Sequence, residues 1–423
     1  MVNAALHPIP AVIEQHAGES AHLCHVRSTL VDAPHVRLGE LRRIDSRLAA
    51  HLDGLAVAGA FGRKVCEAAV LAKTAHGEVF AAIARAIEDG DTGRLDQLLT
   101  LAEANLQVQA GALFAFNWVS AQWLKGITRG LLDSSSAFRR RVGIAACASH
   151  LVDAGPALTS ALHDADAPLR ATALRVAGEG GRSDLLPLCL GALTDDDAEC
   201  RFQAIQSAAL LGDRRAAVAA LRDFALERGP YRARSLMILL KLATPAQAAA
   251  ILKGLSDSEP DSRVLIRSAG IAGDPQWVSW LIGRMDDARL ARLAGESFST
   301  ITGLDLSSPG FAGEPPQPLD PVPADDPEIE DIAVDEDDGL PWPSPPKLQA
   351  WWSANAHRFQ AGARSFLGAP PSRAHCLKVL GSGYQRQRIA AAQFLCILQP
   401  GTKLFPTSAP AWRQQRWLDT MGA

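Results

Sequence analysis

Between residues 97 and 304 the apolar positions recur three and four residues apart, as at Leu169, Ala173, Leu174 and Ala177. The stretches that carry them are rich in Ala, Leu and Arg and poor in β-branched runs. Such spacing lines one face of a helix and predicts helices throughout. Turn residues such as Gly180-Gly181, Gly212-Asp213 and Ala243-Thr244-Pro245 interrupt the pattern about once every 31 residues, leaving room for two helices of roughly three turns. Each unit is therefore expected to be a helical hairpin. Pro168 and Pro230, with Ser135, Asp166 and Asp197 as N-cap candidates, mark expected starts of second helices. Proline has no amide hydrogen to lose in a first helical turn, and a short oxygen-bearing side chain can accept from an orphan amide there.

The same period fixes a ladder of charged residues. Arg139, Arg170, Arg201, Arg232 and Arg263 stand 31 residues apart, each eight residues after Leu131, Leu162, Leu193, Phe224 or Leu255. Asp133, Asp164, Asp195 and Asp257 lie six residues before four of them, Leu226 being the exception, and Asp286 with Arg292 repeats the spacing after a two-residue deletion. Leu380 and Arg388 form a degenerate further copy. Because aspartate recurs with arginine, the ladder is expected to be structural, each guanidinium binding an aspartate or a free carbonyl in its own or the adjacent turn. The competing reading is a row that receives an acidic partner. The pattern Leu-x-Asp-x5-Arg-x2-Ala, in Leu162 to Ala173 and Leu193 to Ala204, resembles the short HEAT-like repeat named after phycobilisome lyases. Tetratricopeptide and ankyrin signatures are absent.

The flanks differ from the array. Residues 1–96 read as a helical N-terminal cap, with apolar helical spacing over Ile13 to Leu30, Leu38 to Leu55, Phe61 to Leu71 and Glu78 to Ile87. A terminal repeat needs such a cover. Residues 305–346 hold twelve Asp or Glu, no Lys or Arg, and many prolines, a composition expected to form an extended, flexible linker. Residues 347–423 form a helical C-terminal segment of opposite sign, with ten Lys or Arg against Asp419. Trp351, Trp352, Arg386, Arg388, Arg413 and Arg416 are its candidate partner-binding residues. The acidic linker is expected either to lie partly over the four arginines or to remain a solvated spacer.

Composition narrows the function by exclusion. A net charge of −4, with 48% apolar and 21% charged residues, gives no global attraction to nucleic acid or an anionic membrane. The array interleaves Asp with Arg, so nucleic acid is disfavoured as a partner. Seven scattered cysteines without a CxxC spacing point to a reducing compartment. No apolar run reaches the roughly 20 residues of a membrane span, and a cytoplasmic location is expected. His16, His22, Cys24 and His25 are the nearest approach to a metal cluster, but the distant candidates His35 and His51 show no recognised ligand spacing. Neither a His-Glu dipeptide nor a Gly-x-Ser-x-Gly elbow occurs, and Gly381-Ser382-Gly383 is too short for a phosphate loop. No catalytic residue, metal or cofactor is expected.

Motifs outside the repeat carry a second likeness. Glu14-Gln15-His16-Ala17, His51-Leu52-Asp53-Gly54-Leu55, Leu340-Pro341-Trp342-Pro343, Trp351-Trp352, and Gly383 to Arg388 followed by Ala390-Ala391-Ala392 resemble a bacterial HEAT-like family often encoded beside type VI secretion genes. The resemblance spans nearly the whole chain and implies a genomic neighbourhood rather than an activity. The resulting expectation is an all-α, HEAT-like α-solenoid that acts as a non-enzymatic scaffold for another protein, as an adaptor, chaperone or immunity-type inhibitor. A type VI secretion effector or spike component is the partner the resemblance implies. An enzyme or nucleic-acid binder with a site in the concave groove is the alternative.

Overall fold

The computed structural model describes residues 8–257, 261–308, 310–315 and 335–422. Two long helices open the chain, α1 (Pro10–Leu30) and α2 (Leu38–Val57). Helical hairpins follow: α3 (Ala60–Ala72) with α4 (His76–Glu88), α5 (Thr92–Ala104) with α6 (Gln109–Trp118), α7 (Ile127–Leu132) with α8 (Ala137–Ser149), and α9 (Pro156–Ala161) with α10 (Ala167–Glu179). The series continues with α11 (Leu186–Gly191) and α12 (Ala198–Leu210), α13 (Ala216–Leu226) and α14 (Arg232–Leu242), α15 (Pro245–Asp257) and α16 (Ser262–Ala272), and α17 (Val278–Arg284) and α18 (Ala288–Thr302). After the linker come α19 (Pro345–Asn355), α20 (Arg373–Ser382), α21 (Gln385–Leu398) and α22 (Ala411–Met421). Among the described residues, β structure is confined to isolated bridges such as Arg37 with Tyr384. The fold is an all-α solenoid.

The second helices stack on one another from α4 to α18 and form an inner row. Their alanines allow this. Ala173, Leu174 and Ala177 on α10 and Ala204 and Ala208 on α12 are fully buried between successive repeats, where each large apolar side chain contributes about 1.5–3 kcal/mol. Short acidic or hydroxyl caps start these helices: Asp166 accepts from the Leu169 amide, Asp197 from Cys200, Asp261 from Val264 and Asp287 from Arg289. On α8 the cap is Ser136, one residue beyond the expected Ser135. The fourth copy is irregular. Leu226 replaces the aspartate and Pro230 precedes the helix, so α14 starts at Arg232 without a side-chain cap.

The stacking does not begin at residue 97. Hairpins α3–α4 and α5–α6 continue the inner row towards the N-terminus, and α1 packs on α4 as its next member. A short apolar cap would have been sufficient, but the same three- and four-residue spacing runs through α4, where Val79, Phe80, Ile83 and Ile87 are all buried. The C-terminal segment is not a separate appendage either. Phe366, Leu377, Leu380, Phe394 and Leu418 share one buried cluster with Ala33, Val36, Leu38 and Leu41, so the two ends of the chain close on each other.

Candidate functional site: an inner-row groove with one edge closed by the tail

Each edge of the inner row poses a different electrostatic problem. At the N-terminal edge several arginines of the 31-residue series bond carbonyls of their own repeat or a carboxylate of the next. Arg170 donates through Nε and Nη2 to both carboxylate oxygens of Asp195 in the next repeat, at 2.7 and 2.8 Å, and through Nη1 to the Asp164 carbonyl at 2.7 Å. Arg140, not Arg139, holds the equivalent place, bonding the Ser134 carbonyl at 2.9 Å and Asp164 at 2.7 Å. Arg139 turns back instead to Asp96 at 2.5 Å. The 31-residue step overshoots here because the helix cap itself moved by one. Arg201 bonds the Asp195 and Asp196 carbonyls, at 2.7 and 3.0 Å, and Arg232 bonds the Ala225 carbonyl at 3.3 Å. Asp133, Asp257 and Asp286 are exposed, and Asp133 lies 3.9 Å from Arg129 rather than beside Arg139.

The acidic segment completes the ladder. Arg263 binds both oxygens of Asp337 at 2.8 Å, in the place where the preceding rule would put an aspartate of the next repeat. Arg292 bonds the Asp337 carbonyl at 3.0 Å and Asp335 at 2.5 Å, and Arg267 bonds Glu336 at 2.8 Å. The Asp337 amide donates to Asp335 at 3.0 Å just as the Asp197 amide donates to Asp195 at 2.9 Å. The described end of the linker therefore imitates a repeat turn. The arginines it meets are those of the array; of the four tail arginines only Arg386 touches it, through the Glu336 carbonyl at 2.6 Å. Residues 316–334 lie outside the described residues.

At the C-terminal edge every inner helix presents unpaired carbonyls and the negative end of its dipole. The basic tail covers this edge, meeting α14, α16 and α18 over residues 364–368 and then running back past α10 to α6. Arg364 donates to the Lys241, Leu240 and Ala243 carbonyls of α14, at 2.5, 2.5 and 2.6 Å, and to Ala272 of α16 at 3.2 Å. The Ser365 amide bonds Gly273, the Leu367 amide bonds Thr300, and the Leu404 amide bonds Glu179. Arg413 then reaches the Asn117 carbonyl at 2.8 Å and that of Val119 at 2.9 Å, closing the end of α6. Gly273 and Gly303 are αL C-caps whose missing side chains also make room for the tail: a Cβ at either would fall 2.4 or 2.5 Å from the Ser365 or Leu367 carbonyl oxygen.

This placement corrects the expectation of an accessible basic tail. Arg388 is fully buried, donating to the Leu380 carbonyl at 2.7 Å and to Gln414 at 2.5 Å, and burial lowers its pKa to about 10. Arg413 is buried as well, and burial followed by Arg416 brings it down to about 10. Arg386 pairs with Glu296 at 3.0 Å. Trp351 and Trp352 are partly buried against the end of the array, Trp351 edge-on to Phe298. Arg416 alone of the six is exposed. A pair that spacing did not single out joins the chain's ends: Arg27 and Asp45, both buried, meet at 2.5 Å. Arg27 also donates to the Ser408 and Ala409 carbonyls at 3.0 Å, and Asp45 accepts from the Ala411 amide at 2.6 Å. Their register was a readable signal, since Arg27 follows Leu23 and Cys24, and Asp45 lies between Leu41 and Leu48, on buried helix faces.

The face of the inner row between α8 and α12 carries an open recess. A recess of about 300 Å³ there is lined by Arg141, Pro168, Thr172, Arg175, Glu199 and Gln203. Arg141 donates to neutral Gln109 at 2.7 Å and has no carboxylate partner among the described residues. Burial, with Arg175 nearby, lowers its pKa, while Asp166 opposes that effect. Arg175 bonds Glu179 at 2.6 Å. Gln203 donates to Glu199 at 2.6 Å, but its buried Oε1 has no hydrogen-bond partner. Arg234 lies over the Phe202 ring on the same face.

No group of three or more potential metal ligands occurs among the described residues. His16 faces His51 across 3.0 Å, and the His25 and His76 rings lie tilted 5.4 Å apart; these are pairs, not clusters. All seven cysteines are free and buried, and burial pushes Cys24 up to about 12 and Cys66 to about 11, far from a reactive thiolate. Among the described residues no helix is long and apolar enough to cross a membrane.

Stacked helical hairpins tied by arginine contacts to the next repeat make an all-α solenoid array. The model of the HEAT repeats family matches residues 155–239, which run from the start of α9 into α14. Neither a curated protein nor a solved structure matches the chain.

Proposed function

We propose that the protein is a non-enzymatic scaffold whose open inner-row face receives an acidic, extended segment of a partner protein. The observation that carries this reading is the recess on α8–α12. It offers a guanidinium without a carboxylate, Arg141, beside a buried acceptor without a donor, the Gln203 Oε1. An acidic peptide supplies both complements, a carboxylate for the arginine and a backbone amide for the glutamine. HEAT repeats commonly bind proteins, which supports the reading. The motif resemblance further favours a type VI secretion effector or spike component as the partner, with the protein as adaptor or chaperone in the cytoplasm.

A fluorescein-labelled fifteen-residue Asp/Glu-rich peptide, titrated against the full chain and followed by anisotropy, tests the reading. Saturable binding that weakens with salt and falls at least about tenfold in Arg141→Glu/Arg175→Glu, with the circular dichroism unchanged, supports it. Equal affinity in the double variant, or equal binding of a Lys-rich control, rejects it.

A further inference from the structure

Farther along the inner row, where α21 covers it, a cavity of about 430 Å³ lies between α14, α16, α18 and α21. That volume is in the range of small-molecule sites, roughly 300–1,000 Å³. Its walls are largely apolar: Met237, Ile271, Phe366, Ile389 and Phe394. One cation is set into them. Lys241, only 4% exposed, donates to the neutral Gln393 Oε1 at 2.6 Å and lies 5.9 Å from the centre of the Phe394 ring. An ammonium carries three donors, and no carboxylate lies within ion-pair distance of this one among the described residues.

The three other cations lining the cavity, Arg234, Arg267 and Arg386, each lie beside a carboxylate. Arg267 holds Glu336 at 2.8 Å, Arg386 holds Glu296 at 3.0 Å, and Arg234 lies 3.8 Å from Glu199. Burial raises the Asp32 carboxyl and Arg386 opposes the rise. The unmet demand is therefore for one anion, at the end of an apolar chamber. We propose that this cavity is a binding site for a small amphipathic carboxylate, its chain lying against Met237, Ile271, Phe366, Ile389 and Phe394 and its carboxylate accepting from Lys241.

The proton balance supplies a signature. Burial, and after it Arg364, lowers the Lys241 pKa to about 7, so above that pH the empty site holds mainly a neutral amine. A bound carboxylate stabilises the ammonium, and binding at pH 8 must take up a proton. A lysine that only links α14 to α21 through Gln393 would show neither effect.

Isothermal titration of the full chain with decanoate at pH 8, in two buffers of different ionisation enthalpy, tests the proposal, with decanol as the uncharged control. The expected result is saturable decanoate binding with uptake of up to one proton, weakened at least about tenfold in Lys241→Met. Ala390→Trp fills the chamber while keeping the lysine, and should abolish binding. The proposal is overturned by any one of these results: no saturable decanoate binding to the wild type, decanol binding as tightly as decanoate, or unchanged affinity in a folded Lys241→Met.

Discussion

Single side chains in this protein act mainly on backbone carbonyls and on neighbouring repeats, and their contributions can be ranked from their partners. Arg170 ties two repeats through a bidentate carboxylate and a carbonyl, whereas Arg201 has carbonyls alone. Arg170→Ala should lower unfolding free energy by about 1–3 kcal/mol, and Arg201→Ala by less. Urea denaturation of the two variants checks the order, and equal losses would remove the carboxylate from the ladder's role. Arg140→Ala should fall between the two, because it makes one carboxylate bond beside its carbonyl bonds. The buried Arg27–Asp45 pair is a stronger case. Asp45→Ala leaves a guanidinium uncompensated at the junction of the chain's ends and should cost about 3–5 kcal/mol; Arg27→Met/Asp45→Leu should recover much of that. A double variant as unstable as the single would show that packing, not charge, sets the loss. Lys241 illustrates what the letters hid: a lysine inside Leu236 to Leu242 reads as a helix surface position until α21 is placed over it.

At the scale of elements, the helices and their hairpin pairing were legible because periodicity is local. The Asp caps and Pro168 fell where the pattern put them, while Ser135 and Arg139 were each one residue off, since a strict step cannot register a one-residue change of loop length. The tail's path was not legible. It depends on contacts between residues hundreds apart in sequence, such as Arg413 with Asn117, and the only local signs were glycines at helix ends. Gly273→Ala should therefore cost more than the roughly 1–2 kcal/mol of an αL side chain, because its Cβ meets the Ser365 carbonyl; a smaller loss in thermal unfolding would argue that the tail does not press on that turn. The same edge should be acid-sensitive. His150 donates to the Phe116 carbonyl at the end of α6, and burial, with Arg413 beside it, lowers its pKa from 6.5 to about 4. The unfolded state binds the proton first, so stability is lost as pH falls from about 6.5 to 4 and is restored above that window. His150→Asn should flatten this part of the pH–stability curve; an unchanged slope would mean that another group controls it.

For the whole molecule, charge complementarity is settled largely within the chain. The basic tail covers the carbonyl edge of the array, and the described end of the acidic segment, Asp335 to Asp337, binds Arg263, Arg267 and Arg292 of the array. A tail read as a partner surface from its charge alone turns out to hold Arg388 and Arg413 inside the fold. On the α8–α12 face Arg141 has no carboxylate partner and the buried Gln203 Oε1 no hydrogen-bond partner among the described residues. The most direct measurement is hydrogen–deuterium exchange on the full chain. If the tail closes the array, amides of α21 and α22 exchange as slowly as those of α10 and α12, and Arg364→Ala/Arg413→Ala speeds exchange in the tail and in the last turns of α6, α14 and α16 together. Exchange of α21 and α22 within seconds in the unmodified protein, with the array still protected, would contradict the account.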